Sequence, residues 1–307
     1  MSATAIASTL DMDRNEWLNT RSKGLGGSDM GAVLGLNPYA SPLDVYLDKI
    51  GEAPEQEDND AMYWGRTLED IVAQEYVNRT GRKVRRRNAV LQHPDHPELL
   101  ANLDREIVGG GILECKTALY PDGWGDAGTD QVPNHYLIQT VHYMAITGAE
   151  YADLAVLIGG RDFRIYHIAR DQELIDYVVH AGVEFWNEHV VPRVSPPPRT
   201  AEDMLKAFPR DNGASIQASI EMEAEIGALA ALKEEIKGLE KQKLEHESAI
   251  KEELGDHSAF IDASGKPLVT WKGRKSSRFD TTTFRKDHPD LYKEYLNEST
   301  TRTFLVK

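Results

Sequence analysis

Residues 102 to 116 read NLDREIVGGGILECK, three consecutive glycines between two stretches in which apolar and charged residues alternate. That alternation has the period of a β-strand, and a run of glycines lets the backbone reverse within a few residues. The stretch has to be a β-hairpin, and any fold of this chain must be built around it. Residues two apart on a strand face the same side. Glu114 and Lys116 therefore point one way, while Cys115 points the other and joins Leu113 and Ile107 as core. With the turn centred near Gly110, Asp104 lies across from Lys116 and near Glu114, and the three share one face at one end of the hairpin. Glu106 can share that face, and its role as a ligand stays open.

Two carboxylates held together repel each other, and a divalent cation between them removes the penalty. Oxygen-only ligands suit Mg²⁺ or Mn²⁺. A lysine on the same edge can hold an attacking water and stabilise charge on a phosphate. Metal, water and lysine together suffice to hydrolyse a phosphodiester. The bland alternative is a solvated, charged hairpin, and the tripeptide Glu114-Cys115-Lys116 alone does not separate the two.

Composition removes several other classes. Cys115 is the only cysteine among 307 residues, so an internal disulfide and a cysteine-held zinc or iron–sulfur site within one chain are excluded. No apolar run reaches the length of a membrane span, and the N-terminus lacks a basic patch followed by an apolar block. The expectation is a protein of a reducing cytoplasm, without membrane contact. A net charge of −15 argues against a uniformly basic coat for nucleic acid. Local basic surface remains, at Lys83, Arg85, Arg86 and Arg87, and again at Lys266, Lys272, Arg274, Lys275 and Arg278.

Periodicity and turn residues predict helices over 12–23, 28–34 (capped by Ser28), 42–50 (opened by Ser41-Pro42 and closed by Gly51) and 61–79. In the last of these Trp64, Leu68, Ile71, Val72 and Tyr76 recur at helical spacing. Strands follow over roughly 82–91, 99–108 and 111–117. A loop runs to Pro133, then a helix capped by Asn134, a hairpin about Gly159-Gly160, and an amphipathic helix stopped by Pro192. SPPPR at 195–199 reads as a linker, and 216–254 as a helical arm or short helical hairpin. In that arm Leu229, Leu232, Ile236 and Leu239 keep a heptad that fails at Lys243 and His246. The tail patterns as a hairpin around DASGK and a helical stretch capped by Asp280.

Asp104 with Glu114-Cys115-Lys116 resembles the metal-binding core of the PD-(D/E)xK nucleases. Gly65 to Glu69 (GRTLE) is similar to the G-x-x-x-E helix motif of their RecB-like branch, and Gln139 to Tyr143 (QTVHY) to its Q-x-x-x-Y motif. Arg21 and Ser28, seven apart in RSKGLGGS, resemble an early Arg/Ser pair of the YqaJ or lambda-exonuclease group. The motifs stand in the family's order and cover about residues 14–192. Asn102 and Leu103 stand where the superfamily name has proline, a variable position.

The resemblance implies an α/β fold with a mixed central sheet flanked by helices. It implies that Asp104, Glu114 and the Cys115 carbonyl hold Mg²⁺ or Mn²⁺, with Glu69 helping to hold a second ion. Lys116 would position or activate the water, and Gln139 would orient the site. Arg21 and Ser28, with Asn102, Gln139 and Tyr143, would bind DNA at the 5′-phosphate end, and Lys83, Arg85, Arg86 and Arg87 its backbone. An arginine fork beside a helix N-terminus suits such an anion.

The implied activity is a phage-type 5′→3′ exonuclease on linear double-stranded DNA, in a bacterial host cell. It would leave 3′ single strands for an annealing partner and would work as a trimeric or tetrameric ring. The alternatives are an endonuclease of the same fold in repair or defence, and a catalytically silent DNA-binding or scaffold protein. The expected organisation is a nuclease domain over 1–194, a linker over 195–215, a helical arm over 216–255 and a small α+β tail over 256–307. Taken singly, Glu69 reads as the polar side of an amphipathic helix, and His135 and His142 as structural or surface residues. Trp64, Trp124 and Trp186 read as core or rim.

Overall fold

A computed structural model describes residues 3–54, 58–297 and 302–306, and the chain separates into two compact units, Met1–Ala207 and Phe208–Lys307.

The first unit opens with β1 (Thr4–Ser8), then α1 (Arg14–Arg21), α2 (Gly27–Val33), α3 (Pro42–Ile50) and the long α4 (Asp60–Thr80). Next come β2 (Val84–Arg85), β3 (Ala89–Gln92), β4 (Leu100–Ala101), β5 (Arg105–Ile107) and β6 (Gly111–Ala118). Helix α5 (Asn134–Thr147) leads to β7 (Tyr151–Ile158), β8 (Asp162–Ala169) and α6 (Gln172–Phe185), which runs on as a π-helical turn over Trp186–Val190. Helix α7 (Ala201–Ala207) closes the unit.

The main sheet has the order β2-β5-β6-β7-β8, and all its neighbours are antiparallel except β6 and β7. A parallel pair needs a crossover, and α5 supplies it. Strand β6 is central and buried on both faces. Ile112 shares one core with Leu154 and with Met144 and Val141 of α5, while Leu113 and Cys115 share another with Val72, Ala73 and Tyr76 of α4. Cys115 is thus core beside Leu113 and Ile107, as alternation requires. A second sheet, β1-β3-β4, includes an N-terminal strand whose five residues carry no strong alternation to announce it.

Several boundaries move. The stretch over 82–91 divides into β2 and β3, and that over 99–108 into β4 and β5, with the halves of each in different sheets. Ser28 does not cap α2: Gly26 does, and the Asp29 carboxylate accepts from the Gly26 N–H at 2.9 Å. Pro133, not Asn134, precedes α5 as its cap, without a side-chain bond. Ser41 caps α3 as expected and ties it to α7 through the buried Asp203, at 2.7 Å. The proline-rich stretch is therefore followed within a few residues by a docked helix. In α4 the inward stripe is Leu68, Glu69, Val72, Ala73 and Tyr76, whereas Trp64 and Ile71 are exposed. Trp124 is buried and Trp186 packs at the margin of the core.

The second unit holds one uninterrupted helix, α8 (Ile220–Leu254), where the sequence allowed a hairpin. Leu232, Ile236 and Leu239 are exposed on it. A hairpin of β9 (Ala259–Ile261) and β10 (Pro267–Thr270) turns at Gly265, held by the Asp262 side chain, which accepts from the Ser264 and Lys266 amides. Two short helices follow, α9 (Thr281–Asp287), capped by Asp280, and α10 (Pro289–Glu294).

His142 of α5 is completely buried and donates from Nε2 to the Leu100 carbonyl at 2.9 Å, a structural role. Burial pushes its imidazole down to about 4. The unfolded chain, with an ordinary histidine near 6.5, takes up the proton first. Stability present at neutral pH is therefore lost as pH falls through the window from the unfolded to the folded value. The loss is about 3 kcal/mol. Denaturant titrations between about pH 7 and about pH 4 should show that decline, flattened in His142→Gln.

Candidate active site

The hairpin of β5 and β6 pairs Arg105 with Leu113 and Ile107 with Gly111, so its turn centres on Gly109 rather than Gly110. Gly109 and Gly110 both take positive φ, which other residues resist. The shift by one residue brings Asp104 opposite Glu114, not Lys116. Asp104 leaves the strand there, and its Oδ2 accepts from the Cys115 N–H at 2.7 Å. On β6, Lys116 Nζ donates to Glu114 Oε1 at 2.6 Å. Gln139 Nε2, from the crossover helix, donates to the same oxygen at 2.6 Å and lies 3.1 Å from the Tyr143 hydroxyl. Sequence positions 104, 114, 116, 139 and 143 thus converge.

Glu69 approaches from the other side of the sheet, on the inward stripe of α4 and not on a polar outer face. It is held by Arg105, whose Nη1 donates to Glu69 Oε1 at 2.6 Å while Nη2 bonds Asp70. Glu106 is turned away from the cluster and pairs with Arg85 at 2.8 Å and Arg87 at 3.4 Å. Arg86 pairs with Asp70, and Lys83 is exposed. Asn102 is exposed two residues before Asp104.

Burial and the neighbouring Glu114 lift the Asp104 carboxyl well above its usual range, and Lys116 only partly opposes this. Burial lifts Glu114 too, against the pull of Lys116. Lys116 stays charged: the two carboxylates outweigh its own desolvation. Its ammonium also sits 4.9 Å from the Tyr136 ring centre. The pocket has more buried negative charge than its lysine offsets, with hard oxygen donors, which suits a divalent cation. Among the described residues no three His, Cys, Asp or Glu side chains form a ready cation cage. The side-chain donors at hand are Asp104 and Glu114; Glu69 is engaged by Arg105.

Arg21 and Ser28 also meet, with Arg21 Nη2 donating to Ser28 Oγ at 2.7 Å and to Asp29 Oδ1 at 2.8 Å. Asp29 is buried and salt-bridged at 2.8 Å to Lys49, whose side chain is wholly buried. Desolvation raises the Asp29 carboxyl, but Arg21 and Lys49 together outweigh it and hold it below the carboxylate range. This pair orients Arg21, and neither member came out of the sequence reading. A lone acid at the head of the apolar run MGAVLG was the available signal, since such a charge needs a buried partner.

Helix α2 joins the two clusters. A Cβ at Gly27 would stand 2.5 Å from the Tyr143 ring and 3.0 Å from Gln139 Cγ. Only glycine lets α2 approach α5 this closely. Gly27→Ala should therefore displace Tyr143 and Gln139, lowering stability by about 1–3 kcal/mol. Thermal melts of the variant beside wild type would test this.

The YqaJ-like viral recombinase domain matches residues 16–150. The uncharacterized protein YqaJ of Bacillus subtilis (strain 168) is 40% identical over 317 residues, spanning 99% of this chain and 98% of that protein. An uncharacterized protein of Acanthamoeba polyphaga mimivirus is 26% identical over 151 residues, 45% of this chain and 27% of its own length. Among solved structures, the alkaline exonuclease LHK-Exo from Laribacter hongkongensis matches at 22% identity and a TM-score of 0.46, covering 57% of this chain and 91% of that one. Identity to the B. subtilis protein extends from end to end: the chain belongs to the YqaJ-like viral recombinase family.

Proposed function

We propose that this protein is a divalent-metal-dependent exonuclease that digests linear double-stranded DNA in the 5′→3′ direction. It leaves 3′ single strands for a single-strand annealing protein to use in recombination. The observation that carries this reading is the continuity of two clusters. The largely buried Asp104–Glu114–Lys116–Gln139 group is joined through Tyr143 and Gly27 to the Arg21–Ser28 pair, so an anchored phosphate and a reacting one can lie on the same strand.

In this reading Asp104, Glu114 and the Cys115 carbonyl would hold Mg²⁺ or Mn²⁺, and Glu69 would help hold a second ion. Bound there, the metal supplies Lewis-acid polarisation of the phosphate and lowers the pKa of water. Lys116 holds the attacking water against the phosphorus and offsets charge that develops on the phosphate. Gln139 fixes the Glu114 carboxylate, and Tyr143 fixes Gln139. Arg21, with Ser28, grips the terminal 5′-phosphate; the Asp29–Lys49 pair keeps the guanidinium from swinging away.

Asn102 and Lys83, both exposed, contact the strand in this reading. Arg85, Arg86 and Arg87 must exchange their carboxylate partners to do so. A homo-oligomeric ring and residence in the cytoplasm of a bacterial host belong to the same proposal. So does the division into a nuclease domain over 1–194, a linker, a helical arm and a small tail.

Two experiments test this. Lys116→Ala should lower metal-dependent release of nucleotide from a 5′-labelled linear duplex by about 10²–10⁴-fold, measured at a temperature where circular dichroism shows the variant folded. Absence of cutting by wild type on any linear, circular or single-stranded DNA with Mg²⁺ or Mn²⁺ would reject the nuclease. Separately, wild type should prefer 5′-phosphorylated ends over 5′-hydroxyl ends, and Arg21→Ala should erase that preference. An Arg21→Ala enzyme that digests both ends as wild type does would point to an endonuclease.

A further inference from the structure

On the opposite face of the main sheet from Glu114, a cleft of about 580 Å³ opens between the end of α4 and strand β8. Arg79, Arg82, Asp153, Phe163, Ile165 and His167 line it. Asp153 of β7 is buried and accepts from three groups. The Tyr76 hydroxyl and Arg82 Nη1 each reach Oδ2 at 2.5 Å, and His167 Nδ1, directly across the strand pair, meets Oδ1 at 2.7 Å. That network fixes Arg82 and His167 at the mouth of the cleft. Asp153 itself, with a side chain 3% exposed, hardly meets a ligand.

The groups that a ligand meets are of one charge type. The side chains of Arg79, Arg82 and His167 are each about half exposed, at 50%, 45% and 51%. Arg82 keeps Nε and Nη2, and Arg79 keeps Nη2, beyond the bonds each makes to Asp153 and Tyr76 or to Glu75 and the Phe163 carbonyl. With Nδ1–H committed to Asp153, His167 Nε2 is left to accept from a P–OH or, protonated, to donate. Aromatic surface adjoins both cations: the Arg79 guanidinium lies 4.7 Å from the Phe163 ring centre, and Arg82 lies 5.5 Å from that of Tyr151.

The carbonyl end of α4 and the carboxylate of Glu75 consume part of the arginine charge. A bare anion is therefore held poorly here, and an anion carrying a flat apolar part is held better. We infer that this cleft is a second ligand site, separate from the cluster around Glu114, that binds a nucleotide phosphate on Arg79, Arg82 and His167 with its base against Phe163 and Ile165. The inference does not depend on the nuclease activity. The ligand is either a free mononucleotide or one unit of a DNA strand, since both present the same groups.

The test is a titration of histidine imidazole NMR signals with divalent cations chelated, the His167 signal being assigned by its absence from His167→Gln. Thymidine 5′-monophosphate should move that signal saturably, whereas thymidine and inorganic phosphate move it less at equal concentration. Arg79→Ala, which leaves the Asp153 network intact, should raise the half-saturating concentration about tenfold. Oligo(dT) saturating at lower concentration than the mononucleotide assigns the cleft to a strand, and the reverse order to a free nucleotide. A His167 signal unmoved by both, or an Arg79→Ala titration that matches wild type, would overturn the site.

Discussion

One main-chain amide organises the candidate active site. The Cys115 N–H, donated to Asp104, ties a residue that has already left its strand to the strand that carries Glu114 and Lys116. The same residue therefore does two jobs: its side chain anchors β6 in the core beneath α4, and its amide positions a carboxylate on the rim. Everything else at the centre compensates for what this contact brings together. Lys116 and Gln139 share one oxygen of Glu114, Tyr143 braces Gln139, and the close approach at Gly27 keeps Tyr143 in place.

Charge that cannot be solvated has been distributed among partners of fixed position. Arg105 lies on the strand beside Asp104 but faces the other way, so it neutralises Glu69 and Asp70 of α4 rather than the hairpin's own carboxylates. Lys49 does the equivalent for Asp29. Both cations are nearly inaccessible to water, which makes their pairings structural requirements and not surface decoration.

The legible part of this fold was its local periodicity. Alternation in GILECKT and helical spacing in YLIQTVHYMAI act over a few residues, and those elements sit where the pattern puts them. The register of the hairpin came out one residue off, because three glycines give the turn no side chain to mark its centre. Strand β1 pairs with β3, Thr4 opposite Gln92, so no short window of sequence contains that partnership. In α4 an exposed Trp64 and Ile71 mimicked a buried stripe, while the true inward face carries Glu69. The charge of Glu69 makes sense only once Arg105 is opposite. At the candidate site, the meeting of Arg21 with Ser28 followed the spacing of their motif. Asp29 and Lys49, which hold Arg21, pair across two helices and lay beyond it.

The parallel pairing of β6 with β7 has a consequence for biosynthesis. Glu114 and Lys116 are translated early, but β6 is an open edge until α5 has crossed over and β7 has docked beside it. Such non-local pairing is slow compared with hairpin closure. A nascent chain halted at Lys116 would hold the acidic hairpin without Gln139, Tyr143 or the burial that sets its charge balance. The candidate site therefore assembles late: it forms only after Ile158 has left the ribosome, and chains interrupted before that point carry the motif without its partners.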